Sequence, residues 1–176
     1  MTCSIDRVRD ITAALGILPP CYYPLPPHDL MIEHLPQILA AAEMSDARTV
    51  DLSDITLHSP IANPGKLVAA PVNYQAHLDE TIADEATFSR EHVRRIQETG
   101  LFLKATSSSI GAGQSIAIRH PDRRTDHEIE LAVVIGRSCS GVSRDVALDY
   151  VAGYTIGLDI TIRGPEERSL RKSLDT

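Results

Sequence analysis

Residues 127–136 read HEIELAVVIG and residues 151–163 read VAGYTIGLDITIR, and these two stretches decide the fold. The first is the strongest strand signal in the chain, and the second reads as another long strand. In the first, Glu128 and Glu130 stand two apart, so on a strand both side chains point to one face. Two neighbouring carboxylates repel unless a cation or protons hold them. The strand then runs on as LAVVI, a stretch expected to pack in a core. In the second stretch Asp159 stands amid apolar β residues, where β propensity disfavours it and unpaired burial is costly. Three carboxylates together suit a hard ion (Mg²⁺, Mn²⁺ or Ca²⁺) better than zinc. Bland alternatives stay open. Glu128 and Glu130 would then line a solvated face, and Asp159 would bond to backbone at a strand end.

Outward from these strands the pattern stays mainly β. LFLK (101–104) and SIAI (115–118) read as short strands around the loop SSSIGAGQ, and HPDRR reads as a turn. Residues 143–150 carry a short helix with Ser143 as N-cap candidate and Asp145 in its first turn. Gly153 and Gly157 mark bulge or close-approach positions. Upstream, KLVAAPV (66–72) reads as a buried strand that Pro71 ends. The segment NYQAHLDE (73–80) follows it. If it is helical, His77 and Glu80 are i and i+3 and share a face. Such a pair can orient a water and take its proton near neutral pH, although it is also an ordinary surface arrangement. Residues 86–99 read as an amphipathic helix with Gly100 as its C′ residue. Lys104 ends the LFLK strand, and Arg163, Arg171 and Lys172 cluster late. These are cations that could hold a substrate carboxylate or simply lie on the surface.

The N-terminal third reads differently. Ile5, Val8, Ile11 and Leu15 recur at helical spacing after Ser4, which predicts an opening helix that Pro19 and Pro20 end. PPCYYPLPPH (19–28) reads as an extended linker. Residues 29–45 read as two short helices broken at Pro36, and 49–58 as strands. Residues 60–65 form a turn.

Composition narrows the functional classes. A net charge of −7 leaves no electrostatic footprint for nucleic acid or an anionic membrane. Aromatics at 4% with no Trp predict an aliphatic core and argue against a base-stacking surface. Cys3, Cys21 and Cys139 form neither a disulfide framework nor a zinc motif, which suits a reducing compartment. No apolar run approaches membrane-helix length and no targeting segment is visible, so a cytoplasmic protein is expected.

Taken in order, KLVAAPVNYQAHLDE, FLKATSSSIGAGQSI, DHEIELAVVIGRSCSGVSRDVALDYVAGYTIGLDIT and RKSLDT resemble consecutive blocks of the fumarylacetoacetate hydrolase family, over about residues 54–176. The resemblance implies an α+β, mainly β fold. It would be a mixed β-sheet roll of that family's C-terminal-domain type, incomplete here, with a small N-terminal α/β region. The division would be 1–60 for the appendage and small N-terminal domain, and 61–176 for the first part of the catalytic domain. It implies Glu128, Glu130 and Asp159 as ligands of Mg²⁺ or Mn²⁺. By the same resemblance, His77 and Glu80 form the water-activating pair of a lid, and Lys104 and Lys172 are lysines near the metal. Family members chelate a 2-keto or 1,3-diketo acid and stabilise an enolate. The implied activity is hydrolysis or lysis of a C–C bond in a small acylpyruvate or fumarylacetoacetate-like acid. Isomerisation of hydroxydienedioates and decarboxylation of oxaloacetate-like acids are alternatives on the same scaffold. Relatives continue beyond the K-S-x-D-T block. The family is usually dimeric, so the resemblance implies a homodimer or association with a complementary chain, and a non-catalytic half-domain that needs a complementary chain is the third reading.

Overall fold

A computed structural model describes residues 6–83 and 100–163, with backbone only at His77, Glu80 and Thr81. The helix expected over 86–99 and Lys172 lie outside the described residues. Three two-stranded sheets and a few short helices make up the described chain. They fall into two compact units. One comprises Met1–Gly65, Ser109–Ser115 and Ala132–Thr155; the other comprises Lys66–Ser108, Ile116–Leu131 and Ile156–Thr176.

In the first unit, β1 (Arg7–Arg9) pairs antiparallel with β2 (Thr49–Asp51), with Val8 opposite Val50. This corrects the expected opening helix. Among the described residues of that stretch only Thr12–Ile17 is helical, as a 3₁₀ segment. The strand forms because its partner lies forty residues away, which local spacing cannot register. Arg7 Nε meets Asp51 Oδ1 across the ladder at 3.1 Å, and Arg9 donates to the carbonyl of Ala42 at 3.0 Å. The two predicted helices after the proline-rich linker are present as α1 (Leu30–Glu33) and α2 (Leu35–Glu43), with Pro36 in the first turn of α2, where its missing N–H has no intrahelical partner. Asp29 caps α1: its Oδ1 accepts from the N–H groups of Met31 and Ile32, while Oδ2 accepts from Ala62 and Asn63. Ala14, Ile38 and Ala42 form a small aliphatic core, flanked by Ile11, Leu15, Leu18 and Met31.

In the second unit, β3 (Leu67–Ala69) pairs antiparallel with β4 (Phe102–Lys104), placing Leu67 opposite Lys104. The β3 strand is shorter and more exposed than KLVAAPV suggested, with Val68 about half exposed. The NYQAHLDE segment is helical, as α3 (Gln75–Ala83), and Leu78 is its buried anchor.

The long strands are β5 (Thr125–Ile135) and β6 (Val151–Ile162), joined through a 3₁₀ turn at Arg144–Tyr150. They pair as one hairpin. The Arg163 N–H bonds to the Arg124 carbonyl at one end, and the Gly136 N–H bonds to the Tyr150 carbonyl at the other. At the second end an added Cβ on Gly136 would stand 2.8 Å from Cβ of Ala152, so the glycine permits that approach.

Three expectations are corrected here. SIAI forms no strand. Gly153, expected at a bulge or close approach, has open space where a side chain would go. The LAVVI run does not enter a core: Ile129 (69%), Leu131, Val133 and Ile135 on β5 are exposed, as are Tyr154, Ile156 and Leu158 on β6. The alternation is real, but the apolar side of the strands is the open one and the carboxylate side is the more covered.

Candidate functional site

The pleat sorts β5 into two faces. Asp126, Glu128 and Glu130 are partly buried, and His127, Ile129 and Leu131 between them are exposed. On the opposite strand Asp159 and Thr161 stand two apart, with Arg163 just beyond the strand's end; Ile160 and Ile162 between them are partly buried as well. Thr161 Oγ1 donates to Glu128 Oε2 at 3.2 Å, and Arg163 Nε donates to Asp126 Oδ2 at 2.8 Å. These contacts put the odd residues of β6 on the same face as the even residues of β5. Glu128, Glu130 and Asp159 thus share one face of the hairpin.

Two of the three carboxylates hold cationic side chains. Lys104, at the end of β4, donates to Asp159 Oδ1, and its ammonium lies 5.9 Å from the centre of the Phe102 ring. Arg163 donates from Nη2 to Glu128 Oε1 while its Nε serves Asp126. Glu130 takes no hydrogen bond or ion pair among the described residues. The Asp126 carboxyl is held below the ordinary aspartate range, chiefly by the hydrogen bond from Arg124 at 2.7 Å and then by Arg163, against a partial desolvation that pushes the other way.

Helix α3 places His77 and Glu80 three residues apart on its backbone. It is preceded by Tyr74, whose hydroxyl accepts from the N–H of Leu131 at 3.4 Å. That contact links the entry of α3 to β5, one residue beyond Glu130.

The residues bear on a divalent cation as follows. The donor chemistry fits, since three carboxylates on one face offer hard oxygen ligands. Among the described residues, however, no group of three or more His, Cys, Asp or Glu side chains is gathered closely enough to hold an ion. Glu128 and Asp159 are turned to Arg163 and Lys104 instead. Sequence reasoning did not assign Asp126 or Thr161 to this face, nor the contact of Tyr74. The signal for the first two was present: Asp126 is two residues before Glu128 and Thr161 two after Asp159, so the strand period alone places them there.

Residues 66–175 match the model of the fumarylacetoacetate (FAA) hydrolase C-terminal domain. The chain belongs to that family. Among its relatives is the maleylpyruvate hydrolase of Aquipseudomonas alcaligenes, 52% identical over 175 residues that cover 97% of this chain and 61% of that protein. A crystal structure of maleylpyruvate hydrolase from Sphingobium sp. SYK-6, in complex with manganese(II) and pyruvate, superposes with a TM-score of 0.69 at 29% identity, over 95% of this chain and 57% of that one. The mitochondrial oxaloacetate tautomerase FAHD1 of Bos taurus is 39% identical over 89 residues, 48% of this chain and 40% of that protein. The chain thus spans about three fifths of the length of the maleylpyruvate hydrolases it resembles. Among the described residues no helix is long and apolar enough to cross a membrane.

Proposed function

We propose that this chain carries the metal-binding part of an acylpyruvate hydrolase, with maleylpyruvate-like diketo acids as the substrate class. The observation that carries the reading is the shared face of Glu128, Glu130 and Asp159 on a β5–β6 hairpin whose chain is 52% identical to a maleylpyruvate hydrolase. Glu128, Glu130 and Asp159 are the ligands, with Mn²⁺ or Mg²⁺ as the ion; Ca²⁺ fits the same oxygen donors. The bound ion supplies Lewis acidity toward the oxygens of a 2-keto acid.

The chain's own residues do the rest. His77 and Glu80 take a proton from water as its oxygen adds to the acyl carbonyl carbon of the substrate. The C–C bond to the pyruvyl methylene then breaks. The electron pair goes to the pyruvate enolate and the acyl group leaves as a carboxylic acid. The proton held by His77 returns to the enolate carbon, giving pyruvate, so one water is consumed and two acids are formed. Lys104 and Lys172 supply positive charge for the substrate carboxylate and the developing oxyanion.

The isomerase or decarboxylase reading is kept because an oxaloacetate tautomerase shares 39% identity over 89 residues. It would use the same ligands with no water added: an isomerase moves a proton and breaks no C–C bond, and a decarboxylase breaks one with release of CO₂ and protonation of the enolate left behind.

We further read the fold as the β-roll of this family, with the small N-terminal part at 1–60 and the catalytic part from 61. The open apolar side of β5 and β6 favours association with a second copy or a complementary chain, because a two-stranded hairpin alone is marginal in water. The third reading is a non-catalytic half-domain that needs a complementary chain, and measurable turnover by an oligomer of this chain alone would rule it out. A cytoplasmic setting suits the exposed free thiols of Cys21 and Cys139.

The test is Mn²⁺ titration by calorimetry on the purified chain beside a Glu128→Ala/Glu130→Ala variant, followed by an assay for pyruvate release from maleylpyruvate. Binding that disappears in the variant supports the site. Binding retained there, or absent from the folded wild-type chain and from its complex with a complementary chain, refutes it.

A further inference from the structure

Two of the three candidate ligands are held by cations of the same chain: Asp159 by Lys104 and Glu128 by Arg163. Resting on the metal-site reading above, we propose that Lys104 and Arg163 are exchangeable counter-ions. They neutralise Asp159 and Glu128 before a divalent ion binds, and the ion has to displace them.

The geometry leaves little room for sharing. Both oxygens of Glu128 are engaged, one by Arg163 and the other by the hydroxyl of Thr161. A divalent ion sits at about 2.0–2.6 Å from its carboxylate oxygens. Each carboxylate oxygen has a second lone pair and only Oδ1 of Asp159 is engaged, but an ion at either carboxylate would stand close to the ammonium or guanidinium already there, and the like charges repel. The pairs are also sheltered: side-chain exposure is 30% for Lys104, 17% for Asp159, 20% for Arg163 and 27% for Glu128. A carboxylate so placed is costly to leave without a cation, so Lys104 and Arg163 lower the cost of covering Asp159 and Glu128 when metal is absent.

The released cations have places to go. The planar fork of Arg163 already donates to Asp126 at 2.8 Å, so it can let go of Glu128 without becoming an isolated charge. Arg124 shares Asp126 and helps keep that carboxylate ionised as the receiving partner. Lys104 has the Phe102 ring 5.9 Å away. Glu130 is partly buried and takes no partner among the described residues, so it is the ligand that meets the ion first. Metal affinity is then the affinity of the three carboxylates less the cost of breaking two ion pairs. Removing a competing cation should tighten metal binding while weakening the metal-free protein.

The experiment compares Mn²⁺ affinity by calorimetry and thermal melting with and without Mn²⁺ in the wild-type chain, Lys104→Gln, Arg163→Gln and Lys66→Gln. Lys66 precedes β3 and takes no part in these ion pairs, so its variant changes net charge alone. Exchange predicts that Lys104→Gln and Arg163→Gln bind Mn²⁺ roughly three- to fivefold more tightly, the range expected for releasing a partly exposed ion pair. Both should melt below wild type without metal and gain more on saturation, with Lys66→Gln unchanged. Unchanged or weaker affinity in a folded variant overturns exchange, as does an equal gain in Lys66→Gln. If both variants fail to fold, Thr161→Val decides. Freeing Glu128 Oε2 should tighten Mn²⁺ binding, and unchanged or weaker binding overturns the proposal. Absence of Mn²⁺ binding from the folded wild-type chain and from its complex with a complementary chain would refute the metal-site reading, and this inference with it. Wild-type binding without tightening in the variants refutes the inference alone.

Discussion

Replacing Asp29 by alanine tests how the N-terminal part is held together. One carboxylate makes four backbone hydrogen bonds: to Met31 at 3.0 Å, Ile32 at 3.3 Å, Ala62 at 2.7 Å and Asn63 at 3.0 Å. The first two are a helix N-cap, whose loss costs about 1 kcal/mol. The other two join α1 to the loop that leads toward β3. Ala62 and Asn63 are exposed, so water replaces part of what the carboxylate gave, leaving about 0.5–1 kcal/mol for each bond. The sum is a loss of about 2–3 kcal/mol, large against the total stability of an ordinary domain. Urea denaturation followed by far-UV circular dichroism measures it through the midpoint at constant slope. Asp29→Asn is the informative partner: it keeps one carbonyl acceptor for the cap and loses the second oxygen, so it should fall about halfway. A loss below about 0.5 kcal/mol for Asp29→Ala would refute the reasoning and show that the loop at 62–63 is held by other contacts, such as Asn63 Nδ2 to the carbonyls of Pro26 and His28.

Other predictions follow from the site and the N-terminal strand. Glu130→Gln removes a charged ligand and should weaken Mn²⁺ binding roughly tenfold or more, read by calorimetry; unchanged affinity would remove Glu130 from the site. His77→Ala should lower turnover by about two orders of magnitude or more while sparing Mn²⁺ affinity, and equal loss of both would make α3 a structural element instead. The Asp10 carboxyl lies below the ordinary aspartate range, chiefly because Thr12 hydrogen-bonds to it, with the Thr12 N–H at 3.0 Å and Arg48 adding a smaller pull. Because the folded pKa is depressed, this interaction is present above the unfolded pKa of about 3.9 and is lost as pH falls through the lower folded value. The Thr12 amide resonance should therefore titrate with a midpoint below about pH 3.9, and a midpoint at or above it would contradict the hydrogen bond.

The elements legible in the sequence were those whose signal is local. The two long strands, the break at Pro36 and the LFLK strand all stand where period, proline or turn chemistry put them, whereas the helix at 75–83 was left open by the sequence. The failures share one cause. Val8, Ile11 and Leu15 match a helical period, but Arg7–Arg9 is claimed by a distant strand whose register nothing local encodes. The LAVVI run is apolar enough for a core, yet hydrophobic pattern states which residues share a face and not whether anything covers it. The candidate site divides in the same way. Strand alternation put Glu128 and Glu130 together. That Asp159 joins them depends on the pairing of β5 with β6, and that Lys104 meets Asp159 depends on where β4 lies.

The charge on the polar face follows from the same geometry. Four carboxylates, Asp126, Glu128, Glu130 and Asp159, lie on one side of two adjacent strands, where like charges opposite one another are destabilising. The chain offsets them with Arg124, Arg163 and Lys104, each drawn from a different place: the entry to β5, the exit of β6 and the end of β4. That distribution ties three strands together by charge. The apolar residues on the open side of the hairpin do not do this work. Among the described residues this distribution leaves the face one positive charge short of neutral, with Glu130 as the carboxylate that has no partner there. On the proposed reading, the three cations hold this face before metal binds, and Glu130 draws the divalent cation to it. The same arrangement therefore serves both the folding of the hairpin and the binding proposed for it.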